Sequence, residues 1–129
     1  MLSSDSPAVA VARAHVEAWS RHDWDAARAA LAPEVTATAS TLDGLPPASV
    51  AGVDKYMQGL IDFAQPVVPG SLRVIGSAGD ERNALLMVTA RMSGGPFGAG
   101  AAHAGARLYQ LDDDGKIKGE QVIFHFTPD

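Results

Sequence analysis

The sequence predicts an α+β domain in which helices cover one face of a curved antiparallel sheet, and three observations lead there. Apolar residues recur at helical spacing in three segments, all of them before Pro66. Alternating, strand-like segments dominate after Pro69-Gly70. The stretch from Ala99 to Asp129 reads as one long β-hairpin around Leu111-Asp112-Asp113-Asp114-Gly115-Lys116-Ile117. Helices grouped apart from an antiparallel meander imply segregated layers rather than alternating βαβ units.

Ser6-Pro7 opens the first helix, with Ser as N-cap and Pro at the first helical position. Val9, Ala12, Val16 and Trp19 form its apolar stripe through Arg21, and His15 lies on the flank of that stripe. Asp23 caps a shorter helix carrying Trp24, Ala27 and Leu31, which Pro33 ends. Glu34 to Thr41 alternates and is rich in Thr, as a strand does. Leu42 to Ala51, with Asp43-Gly44 and Pro46-Pro47, reads as an exposed loop. Gly52 leads into a third helix with Val53, Tyr56, Leu60 and Phe63 or Ala64 on one face. Ser71 to Ser77 and Ala84 to Met92 read as strands, with breaks at Gly79-Asp80 and Gly94-Gly95-Pro96.

Pairing Asp112 with Lys116 sets the register of the last hairpin. Leu108 then faces Glu120, Ala106 faces Val122, Ala104 faces Phe124, and Ala102 faces Phe126, on the side expected to be buried. The outer side puts Tyr109 beside Gly119, Arg107 opposite Gln121, and His103 opposite His125. Arg and Tyr are enriched at interfaces, which fits this side to a subunit interface.

The 129 residues fit one domain, residues 1–129. With 47% hydrophobic and 19% charged residues, the composition is that of a globular protein. No apolar run reaches the roughly 20 residues that cross a bilayer. Met1-Leu2-Ser3-Ser4-Asp5 lacks the basic-then-apolar order of a secretory signal, and cysteine is absent, so a cytoplasmic setting is expected. The net charge of −5, with Lys and Arg scattered, offers no basic stripe for nucleic acid. A small molecule of low charge is the expected partner.

Several local signals occur in order: Glu17-Ala18-Trp19-Ser20-Arg21-His22-Asp23-Trp24, then Leu31-Ala32-Pro33-Glu34-Val35, Ala51-Gly52, and Asp114-Gly115-Lys116-Ile117. In this order they resemble the SnoaL-like group of the nuclear transport factor 2-like superfamily, over nearly the whole chain. The resemblance implies a cone-shaped, cystatin-like sheet closed by helices, with a ligand pocket inside and homodimers through the outer sheet face. It also implies a wide choice of activities, among them isomerases, cyclases, dehydratases and epoxide hydrolases, so that family alone does not fix function. Ketosteroid isomerases carry acids near what are here Ala39-Ser40 and Ala104, and a tyrosine where His15 stands. Those departures speak against that activity. Polyketide cyclases use an acid on the last strand, where Glu120 lies two residues before Val122. The Asp-Arg-Asp set of limonene epoxide hydrolase finds no facing positions here.

Glu120 leads the candidates. A carboxylate among Leu108, Val122 and Phe124 loses water, which suits it to general acid–base work, against the plainer reading of a group at the mouth of the cone, solvated or paired with Lys118 or a helix residue. His15 exchanges protons near neutral pH if it faces the same pocket, and is otherwise a flank residue. Tyr56, Trp19, Leu60 and Phe124 are pocket lining or plain core, with Tyr56 able to donate a hydrogen bond to a ligand oxygen. Phe97, in the Gly-rich stretch Gly94 to Gly100, is placed to close over the mouth of the cone. His103 and His125 alone supply too few ligands for zinc, and neither metal nor organic cofactor is expected. The resulting expectation is cofactor-independent proton transfer on a largely apolar metabolite, as in isomerisation, cyclisation or dehydration. Glu120 would shuttle the proton while His15 or Tyr56 polarises an oxygen. The alternatives are a non-catalytic binder of a hydrophobic ligand and an interaction module using the outer sheet face.

Overall fold

The structure is a computed structural model and describes residues 5–41, 47–94 and 100–127. Helix α1 (Pro7–Ser20) begins where expected, with the Ser6 hydroxyl accepting from the Val9 N–H at 3.2 Å. Its stripe of Val9, Ala12, Val16 and Trp19 is buried, and so is His15. Asp23 caps α2 (Trp24–Ala29) by accepting from the Ala26 N–H.

That helix stops earlier than the sequence suggests. Leu31 already belongs to strand β1 (Leu31–Thr41), where it pairs with Ile117, and the Ile117 N–H binds the Ala30 carbonyl at 2.8 Å. Pro33 lies inside β1, in the irregular stretch between Leu31 and Thr36 where the register shifts. A proline there removes no ladder hydrogen bond. The loop expected over Leu42 to Ala51 contains a short strand β2 (Ala48–Ala51) against β1, while residues 42–46 lie outside the described residues.

Gly52, at φ +91°, turns the chain into α3 (Val53–Ala64), which buries Tyr56, Met57, Leu60 and Ala64. The end of α3 is held by His22, whose Nε2 donates to the carbonyls of Ala64 and Val67 at 3.1 and 3.2 Å. Strands β3 (Arg73–Gly79) and β4 (Asn83–Arg91) are joined at Asp80, whose carboxylate accepts from the N–H groups of Arg82 and Asn83. Strands β5 (Ala102–Leu111) and β6 (Ile117–Thr127) form the long hairpin.

The six strands form one sheet in the order β2-β1-β6-β5-β4-β3. It was expected to be antiparallel throughout; β1 and β6 run parallel and every other pair is antiparallel. A parallel pair needs a long connection, and everything from β2 to β5 supplies it. The helices cover one face, and Trp19, Tyr109, Leu86 and Ile117 are the largest fully buried side chains between the layers.

The hairpin register differs from the sequence reading by one residue. At the turn the expected pairing holds, with Asp112 N–H on the Lys116 carbonyl and Leu111 opposite Ile117. A bulge follows, so that Gln110 pairs with Gly119 and Tyr109 with Glu120. One extra residue on β6 exchanges the two faces of β5 relative to β6. Glu120, Val122 and Phe124 face inward as expected, but their partners are Tyr109, Arg107 and Gly105. Tyr109, Arg107 and His103 are therefore buried, at 0%, 3% and 1% exposure, and not on the outer face. Of the expected interface residues, Gln121 and His125 remain on the exposed side.

Candidate functional site

Glu120 and Arg107 stand at one end of a cavity of about 250 Å³ between α3 and the sheet. The rest of the lining is apolar, including Ala37 and Ala39 of β1, Leu60 and Phe63 of α3, and Phe124 of β6. The two alanines leave the volume, because each points inward beside Glu120 and Val122 where a larger side chain would fill it. A concave, mostly apolar space with a few converging polar groups is the usual form of a small-molecule site.

The polar end is built from four elements. From α3, the Tyr56 hydroxyl donates to Glu120 Oε2 at 3.0 Å. From α1, His15 Nε2 lies 3.1 Å from that same hydroxyl. His15 Nδ1 donates to the Ala27 carbonyl of α2 at 2.9 Å. From the sheet, Arg107 Nη1 approaches Glu120 Oε2 at 3.7 Å, an ion pair longer than a hydrogen bond. Tyr109 stands beside both charges, without a hydrogen bond of good geometry among the described residues, and turns its ring edge toward His15.

Arg107 is clamped between aromatic faces. Its guanidinium sits 4.9 Å from the Trp19 ring centre and 5.3 Å from that of Phe63. Such contacts contribute about 2 kcal/mol when water is excluded and hold the cation where its hydration is lost. Gly105 serves the same layer: a Cβ there would come within 3.2 Å of His103 Nε2, so glycine leaves room for the imidazole against Phe63 and Phe124.

Burial governs the protonation of this cluster. It pulls the His15 imidazole below its ordinary value, although the Glu120 charge and the Ala27 carbonyl oppose it. Burial pushes the hydroxyls of Tyr56 and Tyr109 well above their ordinary value, and Glu120 adds to the effect. Burial works against the Arg107 charge, but Tyr109 and Glu120 outweigh it and the guanidinium stays protonated. His103 is pushed down to about 3 by burial and then by Arg107, so it is neutral at pH 7.

The sequence-derived candidates sort as follows. Glu120, Tyr56, Leu60 and Phe124 line the cavity together. His15 lies behind Tyr56 and Trp19 behind Arg107, each reaching the cavity only through the residue in front. The partner of Glu120 is not Lys118, which is exposed; Leu108 is not its neighbour either, since it pairs with Gln121 on the other face. Phe97 lies outside the described residues. His103 and His125 do not oppose each other, because the bulge sends them to opposite faces. Among the described residues no three His, Cys, Asp or Glu side chains converge on a metal position. Arg107 is the cavity-lining residue that sequence reasoning put on the wrong face. A phase clue existed, since Leu111, Tyr109 and Arg107 alternate with Gln110, but the bulge that decides the phase leaves no pattern of its own.

A curved sheet closed by helices over a pocket, with its polar groups at one end, defines the pocketed α+β class. Residues 12–120 match the model of the SnoaL-like domain, and the chain belongs to that family. No curated protein matches the sequence significantly. Among solved structures, one from Kribbella flavida superposes with a TM-score of 0.73 at 23% identity, covering 95% of this chain and 88% of that one. An NTF2-like protein from Cytophaga hutchinsonii gives 0.63 at 18% identity over 92% and 89%. An LEH-like epoxide hydrolase from M. tuberculosis gives 0.69 at 18% identity over 92% and 83%. At these identities the likeness is one of fold.

Proposed function

We propose that this chain binds a small, largely apolar metabolite and moves a proton on it, with Glu120 as the acid–base group. The observation that carries the reading is a carboxylate, the one acid lining the cavity among the described residues, held by Tyr56 at 3.0 Å and flanked by Arg107 at 3.7 Å at the polar end of a mostly apolar cavity. A buried carboxylate hydrogen-bonded on one side and open to a cavity on the other is placed to take a proton from a C–H or O–H and return it elsewhere. The Tyr56 hydroxyl and the Arg107 guanidinium supply donors for an oxygen that gains charge. At about 30 Å³ per liquid water, the cavity equals about eight waters, so the substrate is compact. Isomerisation, cyclisation and dehydration all fit these parts, and no cofactor is needed for any of them.

The test is hydrogen exchange on small cyclic ketones in D₂O, followed by NMR. Deuterium entering the carbon next to the carbonyl, lost in Glu120→Gln while binding persists, is the expected result. Saturable binding with no exchange in the unchanged protein would overturn the enzyme reading in favour of a carrier of the same ligand class.

The chain also forms a homodimer through the outer sheet face on this reading, with Gln121 and His125 at the contact. Support comes from Ile75, Leu85, Met87 and Ile123 on that side, exposed at 63%, 40%, 47% and 52%. Contiguous exposed apolar surface of this kind marks interaction sites. The setting we infer is the cytoplasm, consistent with a chain that has no cysteine and, among the described residues, no helix long and apolar enough to cross a membrane.

A further inference from the structure

His15 does not line the cavity, yet it is buried and aligned with the groups that do. Its hydrogen bonds fix where its protons must be. The Ala27 carbonyl only accepts, so Nδ1 carries a hydrogen in every state in which the 2.9 Å contact exists. Nε2 then faces the Tyr56 hydroxyl at 3.1 Å, and that hydroxyl faces Glu120 at 3.0 Å. Tyr56 has a single hydrogen for two neighbours. With Glu120 as carboxylate and His15 neutral, both neighbours are acceptors and one contact is left without a proton. With one more proton, every contact is satisfied in either of two ways. Glu120 can donate to Tyr56 while Tyr56 donates to Nε2, or Nε2–H can donate to Tyr56 while Tyr56 donates to Glu120.

We propose that Glu120, Tyr56 and His15 form a relay holding one shared proton, in which His15 stores, out of reach of the ligand, the proton that Glu120 exchanges with it. The inference rests on the acid–base reading of Glu120 given above. The step balances. Glu120 takes a proton from the ligand; its carboxyl hydrogen then passes to the Tyr56 oxygen as the Tyr56 hydrogen passes to Nε2. The result is a carboxylate, an unchanged phenol and an imidazolium. Reversal returns the proton to Glu120 and from there to the ligand. His15 thus acts through Tyr56, as a positioning and storage group rather than one touching substrate.

The surroundings suit this use. Arg107 and Tyr109 from β5 face Glu120, Glu120 itself comes from β6, and Tyr56 comes from α3. Burial is the larger effect and disfavours the imidazolium, while the Glu120 carboxylate, two hydrogen bonds away, partly offsets it. The stored proton is therefore held only while Glu120 is ionised, which is the condition for returning it. The Ala27 carbonyl closes the far end, so the relay leads to no solvent exit through His15.

The experiment is ¹⁵N NMR of the imidazole and ¹³C NMR of the Glu120 carboxyl across a pH titration, on the unmodified protein and on Tyr56→Phe. The expected results are a neutral His15 in the Nδ1–H form, a titration seen jointly at Nε2 and at the carboxyl, and a His15 midpoint that shifts down in Tyr56→Phe because the imidazolium loses its acceptor. A neutral Nε2–H form, or a midpoint unmoved in Tyr56→Phe, would overturn the relay. The tautomer is read on the unmodified protein, so that test survives if the variant fails to fold. Neither readout depends on turnover, so a protein that binds without catalysis would still reveal or refute the relay, separately from the proton-exchange test.

Discussion

On its inner face the β5–β6 hairpin buries Arg107, Glu120, Tyr109 and His103; on its outer face it leaves Ile123 52% exposed beside Met87 of β4 at 47%. Charge lies inside and apolar surface outside, against the usual partition. The two faces also differ in how their groups are satisfied. Inside, each charge has a partner within a few ångströms: Tyr56 and Arg107 for Glu120, the rings of Trp19 and Phe63 for Arg107. Outside, Leu85, Met87 and Ile123 each leave about half of their surface to solvent. On the proposed reading, the inner polarity serves a ligand site and the outer apolarity serves association.

The largest effect should come from breaking the inner face. Arg107→Ala leaves Glu120 without its cation and empties the space between Trp19 and Phe63. Removing one partner of a buried pair costs about 3–5 kcal/mol. Urea unfolding at pH 7 should show a loss of that size; a loss near zero would mean that Tyr56 alone satisfies Glu120.

An intermediate effect concerns pH. His103 keeps an ordinary value of about 6.5 when unfolded and about 3 when folded, so below pH 6.5 the unfolded chain takes up a proton that the folded one refuses. Stability should therefore fall as the pH drops from 6.5 toward 3, with His103 accounting for about 2 kcal/mol at pH 5. In His103→Phe that share of the difference between pH 7 and pH 5 should vanish, leaving a smaller slope from His15, which shifts in the same direction. An unchanged slope would place the titrating group elsewhere.

The smallest effect on folding is expected on the outer face. Ile123→Asp should change the unfolding free energy of the monomer by no more than about 0.5 kcal/mol. In sedimentation it should nevertheless turn a dimer into a monomer. Unaltered sedimentation would separate the apolar patch from association and weaken the contrast between the faces.

Which parts of this were legible in the sequence follows from where the information is local. The Ser6-Pro7 start of α1, the buried stripe of α3 and the Asp112–Lys116 turn each depend on a few neighbouring residues, and each is found in place. Glu120 and Tyr56 were legible because each sits on an apolar face whose phase is unambiguous in its own element. Arg107 was not, because its face depends on a pairing register, and a bulge at Lys118 changes that register without any local signature. The meeting of His15 with Tyr56 depends on how α1 crosses α3, a tertiary fact that no periodicity records.

The position of β6 carries a further consequence. It is the last strand in the sequence, yet it lies third in the sheet, between β1 and β5. Until residues 117–127 are in place, β2-β1 and β5-β4-β3 share no edge and stand as two separate pieces of sheet. Contacts of such long sequence separation are slow to form, because the loop must close before they reward it. During synthesis, the strand that joins the two pieces and the carboxylate that equips the pocket thus emerge together. A nascent chain short of β6 has neither a continuous sheet nor Glu120, so the sheet and the polar end of the cavity are completed by the same insertion.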